Sequence, residues 1–149
     1  MKHIYNWHKY VSTTKTTSNT IPFNTICPFS KNAKFIIFKG NINFIEEKIL
    51  KWNDEFDVII IEYDKYISAN KAICIENRLN KLNNNIAVLL EHFEDPGYIE
   101  DVYTGCGHNK ILFLLQNRYE LNNARKILEK KNYYSNWTKE YKEKIWRNK

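Results

Sequence analysis

The chain contains little cysteine, proline, glycine or methionine: its 149 residues include three Cys, three Pro, four Gly and one Met. An odd and small number of cysteines argues against a disulfide-stapled fold and predicts reduced thiols in the cytosol. The sequence has no run of about 18 apolar residues, which excludes a membrane-spanning helix. Residues 1–20 are polar and lack an apolar core, so we do not expect a secretory signal. These absences predict a cytoplasmic protein without a membrane partner.

The remaining composition is typical of one globular domain, with 43% hydrophobic and 15% aromatic residues. A chain of this length can form a core without disulfides. We divide it into a polar N-terminal arm or linker, residues 1–20, and a single domain, residues 21–149. The aromatic and histidine residues at the start of the arm either cap a site or form a short helix docked on the domain. The domain ends in a basic, aromatic tail, residues 132–149.

Four short apolar runs predict the strands of one sheet: residues 34–39, 57–63, 86–90 and 111–115. The last two runs are apolar throughout, as in strands that are covered on both faces. Two helices are predicted between the first three runs. Asn43 caps the first helix and Ser68 the second, and Cys74 is a small packing residue inside the second. A third helix, residues 119–131, follows the last run.

This element order, βαβαββα, predicts an α+β fold. Helical crossovers make the first two strands parallel, whereas the last two form an antiparallel pair. We expect a single two-layer domain with helices packed on a four-stranded mixed sheet, in a ferredoxin-like or a thioredoxin-like topology. No Cys-x-x-Cys follows the first strand, so the similarity to thioredoxin is limited to the order of the elements.

The loop between the last two strands, residues 94–110, has the highest concentration of reactive side chains and contains three of the four glycines. Loops longer than about 12–15 residues without secondary structure are often functional. If the flanking strands pair antiparallel, His92 and His108 leave the same edge of the sheet. We therefore predict His92 and His108 as acid/base residues and Cys106 or Cys27 as a thiol nucleophile. The predicted substrate-binding residues are Asp95, Asn109 and Lys110.

The segment Cys27-Pro28-Phe29-Ser30-Lys31 lies just before the first predicted strand. It is similar to the opening of some uncharacterised bacterial families that carry a Cys-Pro-Phe-Ala/Ser-Arg/Lys signature. The resemblance covers these five residues and an approximate element order, and it implies no established activity.

Three other interpretations of the 94–110 loop remain open. Zinc binding would use Cys27, His92, Cys106 and His108, although Cys106-x-His108 has one intervening residue where zinc ligands usually have two to four; no cofactor other than zinc is considered. Backbone N–H groups of residues 105–110 would alternatively form an anion-binding nest. In the simplest interpretation, Gly105 and Gly107 only supply positive φ angles in a turn.

The net positive charge of the chain comes from its C-terminal residues. Residues 125–149 contain nine Lys or Arg and three Glu, a surplus of six that equals the net charge of the whole chain. Interleaved aromatic and basic residues are typical of single-stranded nucleic-acid binding. An amphipathic helix that packs its rings on the domain gives the same pattern. The predicted nucleic-acid contacts are Lys130, Lys131, Lys139 and Lys142.

The leading prediction is a small cytosolic enzyme that acts on a small polar molecule at the end of the central strand pair. The alternative is a non-catalytic nucleic-acid-binding or interaction module that uses the C-terminal helix and tail.

Overall fold

The computed structural model describes residues 2–13, 32–95, 97–99, 102–131 and 133–147. Its elements in chain order are α1 (Lys2–Thr13), β1 (Phe35–Gly40), α2 (Ile42–Leu50), β2 (Val58–Tyr63), α3 (Ala69–Leu79), β3 (Ile86–His92), β4 (Tyr98–Ile99), β5 (Val102–Tyr103), β6 (Ile111–Asn117), α4 (Arg118–Lys130), a 3₁₀ turn (Tyr133–Asn136) and α5 (Lys139–Trp146). The predicted order of the main strands and their helices is confirmed. The boundary predicted at residue 20 lies outside the described residues.

The main sheet has four strands in the order β1-β2-β6-β3. The first two strands are parallel, and β6 is antiparallel to both of its neighbours. The predicted α+β fold with a mixed four-stranded sheet is therefore confirmed. Because β6 lies between β2 and β3, the connection through α3 passes over one strand of the sheet. The β4 and β5 strands form a separate antiparallel pair inside the predicted long loop.

One face of the sheet carries the main core, where α2 and α3 pack. Side chains alternate between the two faces along a strand, so every second residue of β3 and β6 points to these helices. The fully buried members of this core include Ile45 and Ile49 from α2, Ala72 and Leu79 from α3, Val88 from β3, and Phe113 and Leu115 from β6. This layer of helices on a sheet is the predicted two-layer arrangement.

The opposite face is partly covered by α1. Ile4 is fully buried there against Leu112 of β6 and Cys106. The indole N–H of Trp7 donates to the carbonyl of Thr104 at 2.8 Å, and the Tyr10 hydroxyl donates to the carbonyl of Tyr103 at 2.8 Å. These contacts confirm that the start of the arm is a short helix docked on the domain. We call this side of the sheet the α1 face.

The tail folds back on the domain. Tyr133 and Tyr134 are buried and pack edge-on against Trp137. At the end of the tail, Arg147 donates to both carboxylate oxygens of Glu76 in α3, each at 2.8 Å. The rings of residues 133–147 therefore pack on the domain and on one another, as the amphipathic interpretation predicts, whereas Lys144 is largely buried and does not lie in water. None of the described helices is long and apolar enough to cross a membrane.

Several local predictions were wrong. The N-cap of α2 is Asn41, whose side chain accepts from the N–H of Phe44; Asn43, predicted as the cap, lies inside the helix. The cap at Ser68 is confirmed. The second helix exposes Cys74 and does not pack it in the core. The α4 helix begins at residue 118, one residue earlier than predicted.

Candidate functional site

A cleft of about 410 Å³ opens where β1 and β2 end and β6 begins. Ligand sites of sheets flanked by helices commonly lie outside the carboxyl ends of parallel strands, because loops with free polar groups meet there. The polar lining comes from Lys39, Glu62, Asp64, Lys65 and Asn109, and the ring lining from Tyr63, Tyr66 and Phe93, with Ile111 between them. We call this the strand-end cleft.

Two backbone features shape the cleft. The N–H of Asp64 donates to the carbonyl of Gly40 at 3.0 Å and so joins the ends of β1 and β2. On the β6 side, the N–H of Lys110 donates to the carbonyl of Gly107 at 3.0 Å and closes a tight turn. Its two central residues, His108 and Asn109, have φ angles of 52° and 55°, as a type I′ turn requires. The turn places Asn109 in the cleft lining.

Glu62 of the cleft lining belongs to a partly buried ion pair. The Lys110 ammonium lies 2.6 Å from a carboxylate oxygen of Glu62, and their side chains are only 19% and 11% exposed. Lys39 is the register partner of Glu62 on β1 and adds a second cation to the lining. Charges withdrawn from water in a cleft act more strongly on a ligand than the same charges on an open surface.

The structure does not bring His92 to this cluster of charges. Its ring is 1% exposed, and because Nδ1 accepts from the N–H of Glu94 at 3.1 Å, Nε2 carries the proton that is donated to the carbonyl of Ile67 at 2.8 Å. Both ring nitrogens are therefore engaged within the protein. His92 also lies on the α2 and α3 face, two residues beyond Leu90. The expectation that His92 and His108 share one cleft is wrong. Because alternate residues of β3 face opposite sides, His92 points to the α2 and α3 face, whereas the ring of His108 lies against α1.

His108 is exposed and contacts α1. Its ring stacks on that of His3, with centroids 3.9 Å apart and planes 18° apart. The charge of His108 is the main cause that lowers the pKa of His3, followed by burial and the charge of Lys110. The predicted acid/base residue His108 is thus the sequence neighbour of Asn109, which lines the cleft, but the His108 ring itself lies against α1.

Cys106 is 8% exposed and packs against Ile4. Burial, with the charge of Glu91 next in effect, raises the pKa of Cys106 from 9.0 to about 11. Reactive cysteines need the thiolate, so this environment favours a packing role over a nucleophilic one. The other predicted thiol, Cys27, lies outside the described residues. Within the described ranges, no group of three or more His, Cys, Asp or Glu side chains is arranged to hold a metal ion such as zinc.

The three predicted substrate-binding residues have different positions. Asn109 lines the strand-end cleft. Lys110 is not one of the lining residues, but its ammonium group is paired with the carboxylate of Glu62, which is. Asp95 instead faces α5: its carboxylate lies 3.4 Å from the Lys144 ammonium, and its carbonyl oxygen accepts from the same ammonium. Asp95 therefore anchors the tail and does not line the cleft.

The sequence prediction missed a buried carboxyl group at Glu91 of β3. Its Oε1 atom is buried, and the structure gives it no hydrogen-bond partner in the part of the chain that it describes. Burial raises the pKa of Glu91 from 4.5 to about 8, although the charge of Lys144 offsets part of that rise. A Cβ on Gly105 would lie 3.0 Å from this oxygen and 2.6 Å from the Tyr103 hydroxyl, so only glycine permits this close approach.

The sequence did contain a signal for the missed residues. Glu62 and Glu91 each follow an apolar strand run directly, and Lys39 stands at the same point of β1. A charged residue at the end of a buried strand is already positioned where a site forms. The glycines and histidines of the long loop were the more obvious feature of the sequence, and the charged residues at the strand ends were overlooked for that reason.

The four lysines predicted to contact nucleic acid lie at the surface of the tail and of α4. Lys139 and Lys142 border a groove of about 440 Å³ with Trp146, and Lys139 lies 3.8 Å from Glu143. Lys130 and Lys131 are exposed at the end of α4. The aromatic rings of the tail pack against one another, which leaves less ring surface for bases to stack on. Nucleic-acid binding stays a prediction.

Comparison with known proteins adds no functional information. The resemblance seen at residues 27–31 stays an expectation, and that segment lies outside the described residues. No protein-family model, no curated protein and no solved structure matches this chain.

Proposed function

We propose that the protein is a small cytosolic enzyme that acts on a small polar molecule bound in the strand-end cleft. The observation that carries the proposal is the ion pair of Glu62 and Lys110 in a polar cleft at the carboxyl ends of parallel strands. A charge pair of this kind is costly to withdraw from water and does little for stability, so a cleft that contains one is a candidate site.

The roles follow from the chemistry of the side chains. The Glu62 carboxylate accepts a proton from the ligand or returns one, and the Lys110 ammonium balances the charge that this transfer creates. The Asn109 amide offers a donor and an acceptor to polar groups of the ligand. Glu62 thus takes the acid/base role first assigned to His92, whose ring nitrogens bind within the protein.

The cytosolic location is part of the proposal. Cys74 and Cys106 are free thiols, one exposed and one buried. A reducing compartment preserves an exposed thiol such as that of Cys74, whereas an oxidising compartment favours its conversion to a disulfide.

The test is a ligand screen by NMR on the full chain labelled with ¹⁵N. We expect polar metabolites that bind to shift the backbone amide signals of Lys39, Asp64, Lys65 and Asn109. Conversion of each bound compound is then followed in its own ¹H spectrum. Replacement of Glu62 by Gln should preserve binding and abolish conversion, because the amide keeps the shape of the carboxylate and cannot exchange the proton.

The matched control is Glu47→Gln on the exposed surface of α2, which should leave binding and conversion unchanged. The proposal fails if no compound shifts the cleft signals, or if the Glu62→Gln chain converts a bound compound as fast as the original chain.

A further inference from the structure

The strand-end cleft has an aromatic wall whose rings are held in place. The ring of Phe93 stacks on His92, with centroids 5.0 Å apart and planes 13° apart. The Tyr66 ring lies 6.1 Å from Phe93, and its hydroxyl is hydrogen-bonded to Glu94, which raises the pKa of that phenol. His92 is itself fixed by two hydrogen bonds. The wall is therefore preorganised before a ligand arrives, and this lowers the entropic cost of binding.

Much of this wall is open to solvent. The Tyr66 side chain is 63% exposed although it lines the cleft. Planar rings bind aromatic faces in offset or edge-on geometry, and such contacts stabilise a complex beyond the area that they bury. A planar group of a ligand would cover a surface that the protein leaves uncovered.

The charges of the lining favour an anion. Glu62 is neutralised locally by Lys110, at 2.6 Å. The remaining charged side chains that line the cleft are Lys39, Lys65 and Asp64, a surplus of one cation within the lining, while the Glu94 carboxylate, outside the lining, is hydrogen-bonded to the Tyr66 hydroxyl. A ligand with a single negative charge matches this surplus.

We propose that the ligand of the strand-end cleft is a small molecule with a planar ring and one anionic group. The ring packs on Tyr66 and Phe93, and the anionic group binds Lys39 and Lys65. This inference rests on the proposed function and goes further by naming the chemical class of the ligand.

The experiment compares four probes that separate ring from charge: indole-3-acetate, indole, tryptamine and acetate. Their dissociation constants are measured by NMR titration of the full chain, from the amide signals of Lys39, Lys65 and Asn109. We expect indole-3-acetate to bind about tenfold more tightly than each of the others, because only it supplies both contacts. Equal or tighter binding of tryptamine or acetate would overturn the inference.

Two substitutions assign the contacts. Tyr66→Ala should weaken indole-3-acetate about tenfold and leave acetate unchanged, whereas Tyr66→Phe, which keeps the ring and loses only the hydrogen bond to Glu94, should weaken it much less. Lys65→Met should lower the affinity for indole-3-acetate to that for indole. Tyr119→Ala, at an exposed tyrosine of α4, is the control and should change nothing. Unchanged binding in both the Tyr66→Ala and the Lys65→Met chains would refute the assignment.

Failure of this inference is distinguishable from failure of the proposed function. If saturated polar compounds shift the cleft signals and indole-3-acetate does not, the ligand class is wrong and the site stands. If no compound of either kind shifts them, both proposals fail.

Discussion

Glu62 and Glu91 occupy equivalent positions on the sheet, and both carboxyl groups are largely withdrawn from water, yet they have different partners. Both residues pair in register with Leu112 of β6, one from each side, and both point to the α1 face. Glu62 lines an open cleft with Lys110 at 2.6 Å. Glu91 has a buried oxygen with no hydrogen-bond partner in the described ranges, and its pKa is raised to about 8.

The comparison shows that the same position on the sheet can provide a cation for one carboxyl group, Glu62, and leave an oxygen of the other, Glu91, without a hydrogen-bond partner among the described residues. Burial disfavours the ionised form of any carboxyl, and a nearby cation restores it. The turn before β6 delivers the Lys110 ammonium to Glu62. The Lys144 ammonium lowers the pKa of Glu91, but by less than burial raises it.

Removal of the Lys110 cation that pairs with Glu62 should have the largest effect on the free energy of unfolding. In the Lys110→Met chain, Glu62 becomes a second buried carboxyl without its ion-pair partner. We expect the free energy of unfolding at pH 7.5 to fall by about 3–4 kcal/mol, because breaking a buried pair leaves one charge uncompensated. Urea denaturation followed by circular dichroism measures the change.

The control is Lys110→Arg, which retains the cation and should lose much less stability. The double variant Lys110→Met with Glu62→Gln should recover part of the loss, since it leaves no isolated charge. Equal losses in the Met and Arg variants would show that Glu62 does not depend on the cation.

Replacement of Glu91 by a neutral residue should have the next largest effect on the free energy of unfolding, and the size of this effect should depend on pH. The pKa of Glu91 is higher in the folded protein than the usual 4.5, so the folded chain binds its proton more tightly than the unfolded chain does. This contribution to stability is complete below about pH 4.5 and is lost as the pH rises through about 8. We expect Glu91→Gln to be similar in stability to the original chain at pH 5 and more stable than it by a few kcal/mol at pH 8.5.

Urea denaturation at pH 5, 7 and 8.5 tests this expectation, and the difference between the two chains removes the contribution of all other titrating groups. Glu129→Gln, at an exposed position of α4, is the control and should show no such difference. A gap between the Glu91→Gln and original chains that does not change with pH would contradict the assigned pKa.

The smallest predicted effect is on the reactivity of the Cys106 thiol, which lies near both carboxyl groups. In a Cys27→Ser background, native alkylation by iodoacetamide at pH 8 should be far slower at Cys106 than at exposed Cys74, because burial and a pKa of about 11 leave little thiolate. Glu91→Gln should speed the reaction of Cys106 severalfold, since it removes a negative charge that opposes the thiolate. Mass spectrometry of the peptides gives both rates, and equal rates at the two cysteines would refute the burial of Cys106.

The architecture was predictable because its signals are local. The parallel pair of β1 and β2 follows from the helix between them, and the antiparallel pair of β3 and β6 was expected from the connection without a helical crossover. The cap at Ser68 was also read directly from the sequence. The cap at Asn41 was missed because two asparagines lie two residues apart, and only the backbone shows which one precedes the first helical turn.

The candidate site was less predictable. Asn109 and Lys110 were identified from the turn residues around them, and both belong to the cleft or its ion pair. His92 was misplaced because a strand run without polar alternation does not show which face each residue takes. The raised pKa of Cys106 depends on Ile4 and Glu91, which are distant in sequence, and the flanking glycines suggested an accessible thiol instead.

The sequence by itself determined the four strands of the main sheet, the helices between them and the direction of each of these strands, because apolar periodicity, turn residues and helical crossovers act over short stretches of chain. Only the tertiary structure decided which charges are paired. Lys110 meets Glu62 across 48 residues, and Arg147 meets Glu76 across 71. Strand register and helix docking set these contacts, and with them the burial that gives Glu62 and Glu91 different properties.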